Sequence, residues 1–138
     1  MAKMIITKID KSSVGLASEL SVASKLIKLG CQVFLTLGHT KSVDIHASKN
    51  GKSHSIQVKG AQKNKSNSNS CSWRINKSNI NIDMIYIFVN LNLNGQNTKE
   101  DIYIIIGNDL INLIQGKSPQ EYVYSNKLKN YLDNWSII

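Results

Sequence analysis

The spacing of apolar residues changes from a helical to an alternating pattern within the first half of the chain. Between Ser13 and Leu29 apolar residues recur at about 100° per residue, which predicts a helix with one broad apolar arc. That arc comprises Leu16, Leu20, Val22, Ala23, Leu26, Ile27 and Leu29. Ser12 or Ser13 is a suitable N-cap residue, and Gly30 is a typical C-terminal stop.

A β-hairpin is predicted further along, with its turn at Asn50-Gly51. This dipeptide favours a two-residue type I′ turn, in which both residues have positive φ. The alternating apolar positions on the two sides of the turn are Val43, Ile45, Ala47, Ile56 and Val58. Counting along both strands from the turn places Asp44 opposite Gln57, on the face away from those apolar residues. Lys59 lies on the same face, two residues further along the strand.

The polar face of this hairpin has two interpretations. It is either the wet face of an ordinary antiparallel strand pair, or a site for a divalent metal and a phosphate. Asp44, Gln57 and Lys59 would supply such a site with a carboxylate, an amide oxygen and an ammonium group. His46 shares that face, where it either binds a phosphate or water or is a plain surface histidine.

Glu19 falls inside the apolar arc of the predicted helix. A carboxylate there needs a partner, because an unpaired buried charge is costly or shifts the pKa of its group. Three interpretations are open. Glu19 pairs with a lysine such as Lys59, it binds a metal held by the hairpin, or it lies at the rim and reaches water.

The rest of the chain alternates apolar segments with polar ones. Strands are predicted at Cys31–Leu37, Cys71–Asn76, Met84–Val89 and Asp101–Ile106, of which the last two are buried. Loops are predicted at Gln62–Ser70 and Asn92–Lys99. A helix is predicted at Leu110–Gln115, capped by Gly107-Asn108-Asp109 and ended by Gly116, and a short C-terminal helix at Lys127–Trp135, with a break at Pro119 between them.

Length and composition are typical of one small intracellular domain, residues 1–138. A chain of 138 residues that is 41% hydrophobic can bury a core. No stretch is long enough to span a membrane, and the apolar part of Met1–Ile6 is too short for a signal peptide. Cys31 and Cys71 form no CxxC pair, so we expect free thiols and a cytoplasmic protein.

The charge favours an anionic partner. Lysine and arginine total 17 against nine acids, which gives a net charge of +8 and suggests nucleic acid. All of these cations except Arg74 are lysines, and the chain is rich in Ile and Asn, so an AT-rich genome is an alternative cause. The candidate nucleic-acid-binding residues are Lys41, Lys63, Lys65 and Arg74. No histidine spacing suits a structural metal, and no Gly-rich phosphate loop or nucleophile motif is present.

Glu19, Asp44, Gln57 and Lys59 resemble the motif of the PD-(D/E)xK nuclease superfamily. In that family an early helix offers a glutamate and a strand offers an aspartate. The next strand offers an acid or Gln, one spacer and Lys. The order of helix, hairpin and strand also matches the family core, and the resemblance covers most of the chain. Val43 replaces the proline before the aspartate, and Gln57 replaces the acid, which leaves one fewer negative charge at the metal.

The resemblance implies an α/β fold with a restriction-endonuclease-like core, in which helices flank a central mixed β-sheet. It implies a Mg²⁺-dependent endonuclease that hydrolyses phosphodiester bonds in double-stranded DNA, with Mn²⁺ as a substitute. The implied catalytic residues are Glu19, Asp44, Gln57 and Lys59, and the implied metal ligands are Glu19, Asp44, Gln57 and the Val58 carbonyl. Without metal, we expect Lys59 to pair with Asp44 or Glu19 and keep both carboxylates ionised. A homodimer is expected if both strands of a duplex are cut.

Two other functions fit the same residues. The fold can be a catalytically degenerate module that binds nucleic acid or a protein partner. It can also be a nuclease or toxin that acts on RNA.

Overall fold

The computed structural model describes residues 8–36, 43–62, 71–93 and 98–138 of the chain. Its elements in chain order are α1 (Lys11–Lys28), β1 (Gln32–Leu35), β2 (Ile45–Lys49), β3 (Lys52–Gln62), β4 (Ser72–Arg74), β5 (Ile85–Leu93), β6 (Thr98–Ile106), α2 (Gly107–Leu110), β7 (Gln115–Lys117) and β8 (Gln120–Tyr124). Short 3₁₀ turns occupy Lys77–Asn79, Ser125–Lys127, Lys129–Tyr131 and Trp135–Ile137.

Five strands form a central mixed sheet in the order β1-β2-β3-β5-β6. β3 and β5 are parallel, and the other neighbouring pairs are antiparallel. A second, three-stranded sheet has the order β4-β8-β7. The α/β class with a central mixed sheet is therefore confirmed.

The helix α1 is confirmed, but its cap and its buried face differ from the prediction. Asp10 is the N-cap residue, and its carboxylate accepts a hydrogen bond from the Ser13 backbone N–H at 2.7 Å. The buried residues of the helix are Val14, Ser18, Val22, Ala23 and Leu26. Leu16, Leu20 and Ile27 are 58%, 50% and 59% exposed. The predicted arc was too wide, because only the narrow stripe that faces the sheet is covered.

Ser18 lies at the centre of that stripe because β3 approaches the helix very closely. A Cβ atom added at Gly60 would lie only 2.2 Å from the Ser18 Oγ and 3.0 Å from the Val14 carbonyl oxygen. The Ser18 hydroxyl is buried and donates to the Val14 carbonyl at 2.7 Å, so its polar group is satisfied. A small residue on each element therefore sets the distance between α1 and β3.

The central sheet buries both of its faces. On one face α1 covers an aliphatic cluster that includes Val22, Leu26 and Ile87. On the other face the small sheet covers an aromatic cluster that includes Trp73 and Phe88, and the Trp73 indole N–H donates to the Val89 carbonyl at 3.2 Å. β5 is buried from its first residue to Leu91, which confirms the predicted central strand.

The carboxyl-terminal third differs most from the prediction. The predicted helix Leu110–Gln115 is wrong, since α2 ends at Leu110 and Gln115 begins β7. The predicted helix Lys127–Trp135 is also wrong and is replaced by 3₁₀ turns. Asp133 there has a φ of 52°, and its N–H donates to the Ile102 carbonyl of β6 rather than to a helical partner.

The predicted strands and loops are shifted at their ends. β1 confirms most of the strand Cys31–Leu37, although Leu37 lies outside the described residues. Gln62 belongs to β3 rather than to a loop, and residues 63–70 and 94–97 also lie outside the described residues. No helix in the described part of the chain is long and apolar enough to cross a membrane.

Candidate functional site

The site begins at the hairpin of β2 and β3, whose turn is confirmed and whose register is confirmed from Lys49 and Lys52 as far as Ile45 and Ile56. Asn50 and Gly51 have φ values of 53° and 80°, as a type I′ turn requires. Lys49 pairs with Lys52, and the ladder continues to Ile45 and Ile56. The predicted pair of Asp44 with Gln57 is not part of this ladder, because the Asp44 backbone N–H donates to the Ile56 carbonyl at 2.9 Å.

The chain bends at Asp44, so the regular alternation stops there. The predicted position of Val43 on the face of Ile45 is wrong, because Val43 packs against the aromatic cluster on the opposite face. Thr36, just after β1, braces the bend. Its hydroxyl donates to the Val43 carbonyl at 2.7 Å, and its backbone N–H donates to the Asp44 carbonyl at 3.0 Å.

The bend directs the Asp44 carboxylate at the backbone of β3. Its Oδ2 accepts a hydrogen bond from the Val58 N–H at 2.8 Å. Val58 lies between Gln57 and Lys59 in the sequence, so this bond holds Asp44 beside the Gln-x-Lys segment. Asp44 is half-buried, and the bond restricts the positions that its carboxylate can take.

Glu19 reaches this carboxylate from α1. Burial raises the pKa of Glu19 above its ordinary value, and the negative charge of Asp44 and a side-chain hydrogen bond with it raise that pKa further. Of the three interpretations of Glu19, the lysine pair is wrong, and Glu19 is half-buried, so part of its side chain reaches water. No ion pair joins Lys59 to Glu19 or Asp44 in the described part of the chain, so the expected pairing of Lys59 is wrong.

Gln57 and Lys59 line a cleft between the two sheets. The cleft has a volume of about 1100 Å³, and its other charged lining residues are Lys11 and Arg74. Amide and aromatic side chains complete much of the lining, namely Asn76, Asn79, Asn81, Trp73, Tyr86 and Tyr122. No acidic residue lines the cleft within the described ranges. Its electrostatic character is therefore cationic, which suits a polyanion.

The remaining sequence candidates lie in different places. Arg74 is exposed on β4, and its guanidinium donates to the Pro119 carbonyl at 2.8 Å. His46 is exposed on β2, and its Nδ1 lies 3.5 Å from the Ser55 hydroxyl oxygen. Lys41, Lys63 and Lys65 lie outside the described residues.

Three residues that hold this arrangement were not identified from the sequence as important for the site. Gly60 and Ser18 set the spacing of α1 and β3, and Thr36 braces the bend at Asp44. A glycine inside a strand is a known sign of close backbone approach, so Gly60 carried a usable signal. Thr36 carried none, because its role depends on a contact across two strands.

Comparison with known proteins found a solved structure with a similar fold. No protein-family model matches the chain, and no curated protein is significantly similar to it in sequence. Among solved structures, the chain is similar to a bacterial homing endonuclease, I-Ssp6803I, with a TM-score of 0.65 and 13% sequence identity. The match covers 94% of this chain and 91% of that chain. This chain therefore shares the fold of that structure over most of its length.

Proposed function

We propose that the chain is a metal-dependent endonuclease of the PD-(D/E)xK type that hydrolyses phosphodiester bonds in double-stranded DNA. The observation that carries this proposal is the bond from the Val58 N–H to the Asp44 carboxylate at 2.8 Å, with Glu19 near enough for the charge of Asp44 to raise its pKa. The likeness to a homing endonuclease supports a nuclease fold, and the cationic cleft supports DNA as the substrate.

The donor atoms fit a hard divalent cation. Two adjacent carboxyl groups repel each other when both are ionised, and a cation between them would remove that cost. The described residues hold no cluster of three His, Cys, Asp or Glu side chains. The other ligands would be the Gln57 amide oxygen, the Val58 carbonyl and water, and Mg²⁺ usually keeps several waters. Mn²⁺ accepts the same oxygen ligands.

Each residue has a distinct role in this mechanism. Glu19 and Asp44 would hold the ion, which would lower the pKa of a bound water and neutralise charge on the scissile phosphate. Lys59 has no ion-pair partner among the described residues, so its ammonium group is available to a phosphate oxygen. It would orient the attacking water or stabilise the negative charge of the transition state. Lys11 and Arg74 would bind neighbouring phosphates.

Cleavage of supercoiled plasmid in Mg²⁺ or Mn²⁺ tests the proposal. Asp44→Asn keeps an oxygen that can accept from the Val58 N–H, and we expect it to abolish nicking while the protein stays folded. Asp109→Asn is the matched control, because Asp109 is an exposed acid on α2. Full activity of both Asp44→Asn and Lys59→Ala would overturn the assignment.

A non-catalytic module is the second candidate. Gln57 in place of an acid leaves two carboxylates at the site, and this favours weak metal binding. A degenerate module would bind duplex DNA equally well with and without Mn²⁺ and would not nick it at any metal concentration. RNA as the substrate would be recognised by faster cleavage of RNA than of DNA.

Cleavage of both strands would require two sites, so we infer a homodimer. The exposed apolar side chains suited to an interface are Leu16, Leu20, Ile27, Phe34 and Leu35 on α1 and β1. Leu20→Lys combined with Phe34→Lys should give a monomer by light scattering that nicks one strand. An unchanged mass would contradict this interface.

We also propose a cytoplasmic location, because the proposed substrate is DNA.

A further inference from the structure

The outer face of the three-stranded sheet is a second polar surface next to the cleft. Strand register places Arg74, Tyr122 and Gln115 side by side across the sheet, with Ser72 and Tyr124 in the neighbouring row. Residues on this face are exposed or half-buried. The opposite face carries Trp73 and Val123 and is buried against the central sheet. Packing against the central sheet therefore explains the residues on the inner face of the small sheet but not those on its outer face.

The outer face carries cations and amides but no carboxylate within these three strands. Arg74 and Lys117 are exposed, and Gln115 and Gln120 lie beside them. The one acid in these strands, Glu121, points to the buried side, where its carboxylate accepts from the Lys77 backbone N–H at 3.3 Å. The charge of this face is thus complementary to a polyanion.

Two tyrosines connect this face with the cleft. The rings of Tyr122 and Tyr124 lie 6.4 Å apart on β8, and Tyr122 also lines the cleft that holds Gln57 and Lys59. The hydrogen bond from Arg74 to the Pro119 carbonyl holds the guanidinium at the end of the β7–β8 hairpin and leaves other donors for a ligand. A rod-shaped anion in the cleft would therefore extend onto this hairpin.

We propose that the hairpin of β7 and β8 enters the major groove of the DNA duplex whose backbone lies in the cleft. The inference rests on the proposed function for the choice of DNA. A major groove about 12 Å wide admits a two-stranded ribbon, and amide side chains can pair with adenine in it. Gln115 and Gln120 contact base edges, and Lys117 and Arg74 contact phosphates.

Binding of a fluorescein-labelled duplex, followed by anisotropy in EDTA, tests the proposal without cleavage. The double variant Gln115→Glu, Lys117→Glu should raise the Kd at least about tenfold, because it repels phosphates and removes a cation. Ser24→Glu with Lys28→Glu changes the net charge equally on exposed α1 positions and should raise the Kd less than about threefold. Equal weakening by both pairs would overturn the proposal.

Selection from a pool of randomised duplexes tests base contact separately. The wild-type chain should enrich a sequence motif, and Gln115→Ala with Gln120→Ala should lose preference at some of its positions. An unchanged motif, or no motif in the wild type, would refute base reading by this hairpin. An RNA duplex that competes as well as DNA would refute major-groove binding, because the A-form groove is too narrow.

The two proposals fail in different ways. Asp44→Ala should bind the duplex normally and cut nothing, so an active Asp44→Ala variant would refute the catalytic site and leave the hairpin proposal standing. Normal DNA binding by Gln115→Glu, Lys117→Glu in an otherwise active enzyme would refute the hairpin proposal alone.

Discussion

Two groups of side chains beside β3 carry opposite charge. Where α1 meets the end of β2, Glu19 and Asp44 bring two carboxyl groups together, and burial with the charge of Asp44 raises the pKa of Glu19. On the cleft side, Lys11, Lys59 and Arg74 line a cavity without an acidic residue in the described part of the chain. No ion pair joins these acids to these cations among the described residues. Each set keeps unsatisfied charge, which a metal at the carboxylates and a phosphate bound to that metal and to the cations would neutralise.

The largest effect on cleavage should come from removing the Asp44 carboxylate. Asp44→Ala should lower the rate of plasmid cleavage at least about a hundredfold, because it removes a metal ligand and the acceptor of the Val58 N–H. It should also lower the free energy of unfolding by about 1 kcal/mol, through the lost hydrogen bond. Gel-based cleavage rates and urea denaturation measure the two effects. Wild-type cleavage would contradict the role of the pair.

Removal of Lys59 changes the cleft side alone. Lys59→Ala should lower cleavage by about a hundredfold and leave Mn²⁺ affinity nearly unchanged, because its ammonium group contacts neither carboxylate. Calorimetric titration with Mn²⁺ and single-turnover cleavage separate the two quantities. Lys11→Ala is the matched control and should weaken DNA binding with little change in the cleavage rate of bound DNA. A tenfold change in Mn²⁺ affinity in Lys59→Ala would contradict this prediction, because it would show that Lys59 affects metal binding at the carboxylates.

The distance between α1 and β3 depends on Gly60. Gly60→Ala would place a Cβ against the Ser18 Oγ and should cost about 1–3 kcal/mol of stability through overpacking. It should also move Glu19 relative to Asp44 and reduce cleavage. Adding Ser18→Gly removes the clash and should restore part of both, as chemical denaturation and cleavage assays can measure. A Gly60→Ala variant as stable as wild type would contradict the close approach of α1 and β3.

The smallest effect concerns the proton on Glu19. Its pKa is raised in the folded chain, so protonation of Glu19 stabilises the metal-free protein below its unfolded pKa, and this contribution is lost as the pH rises through the folded pKa. Glu19→Gln should therefore raise metal-free stability at neutral pH, by less than about 1 kcal/mol for a half-exposed group. Thermal melts of both proteins from about pH 4 to about pH 8, a range that begins near the ordinary pKa of a glutamate, measure this difference in stability. A destabilised variant at neutral pH would contradict the carboxyl pair.

The sequence predicts the hairpin well because its information is local. Asn50-Gly51 specifies the turn, and period-two alternation specifies the register, so the Lys49 to Lys52 pairing needs no distant contact. The bend at Asp44 breaks that alternation, because Thr36, which follows β1, holds it. Val43 was therefore assigned to the wrong face.

Contacts between distant segments limit what the sequence predicts at the site and in the second half. A glutamate in an apolar arc indicated a partner for Glu19, but the sequence did not indicate Asp44 as its neighbour, since that contact depends on how α1 lies across β3. The β7–β8 hairpin was missed because short polar strands lack a strong pattern, and Gly116 resembled a helix stop.

Manganese bound to a crystal of the wild-type chain gives the most direct test of the central claim. Anomalous density should show one Mn²⁺ in contact with the carboxylates of Glu19 and Asp44, and it should disappear in Asp44→Asn grown under the same conditions. If Mn²⁺ supports cleavage but its density lies away from both carboxylates, the site proposed for the metal is wrong.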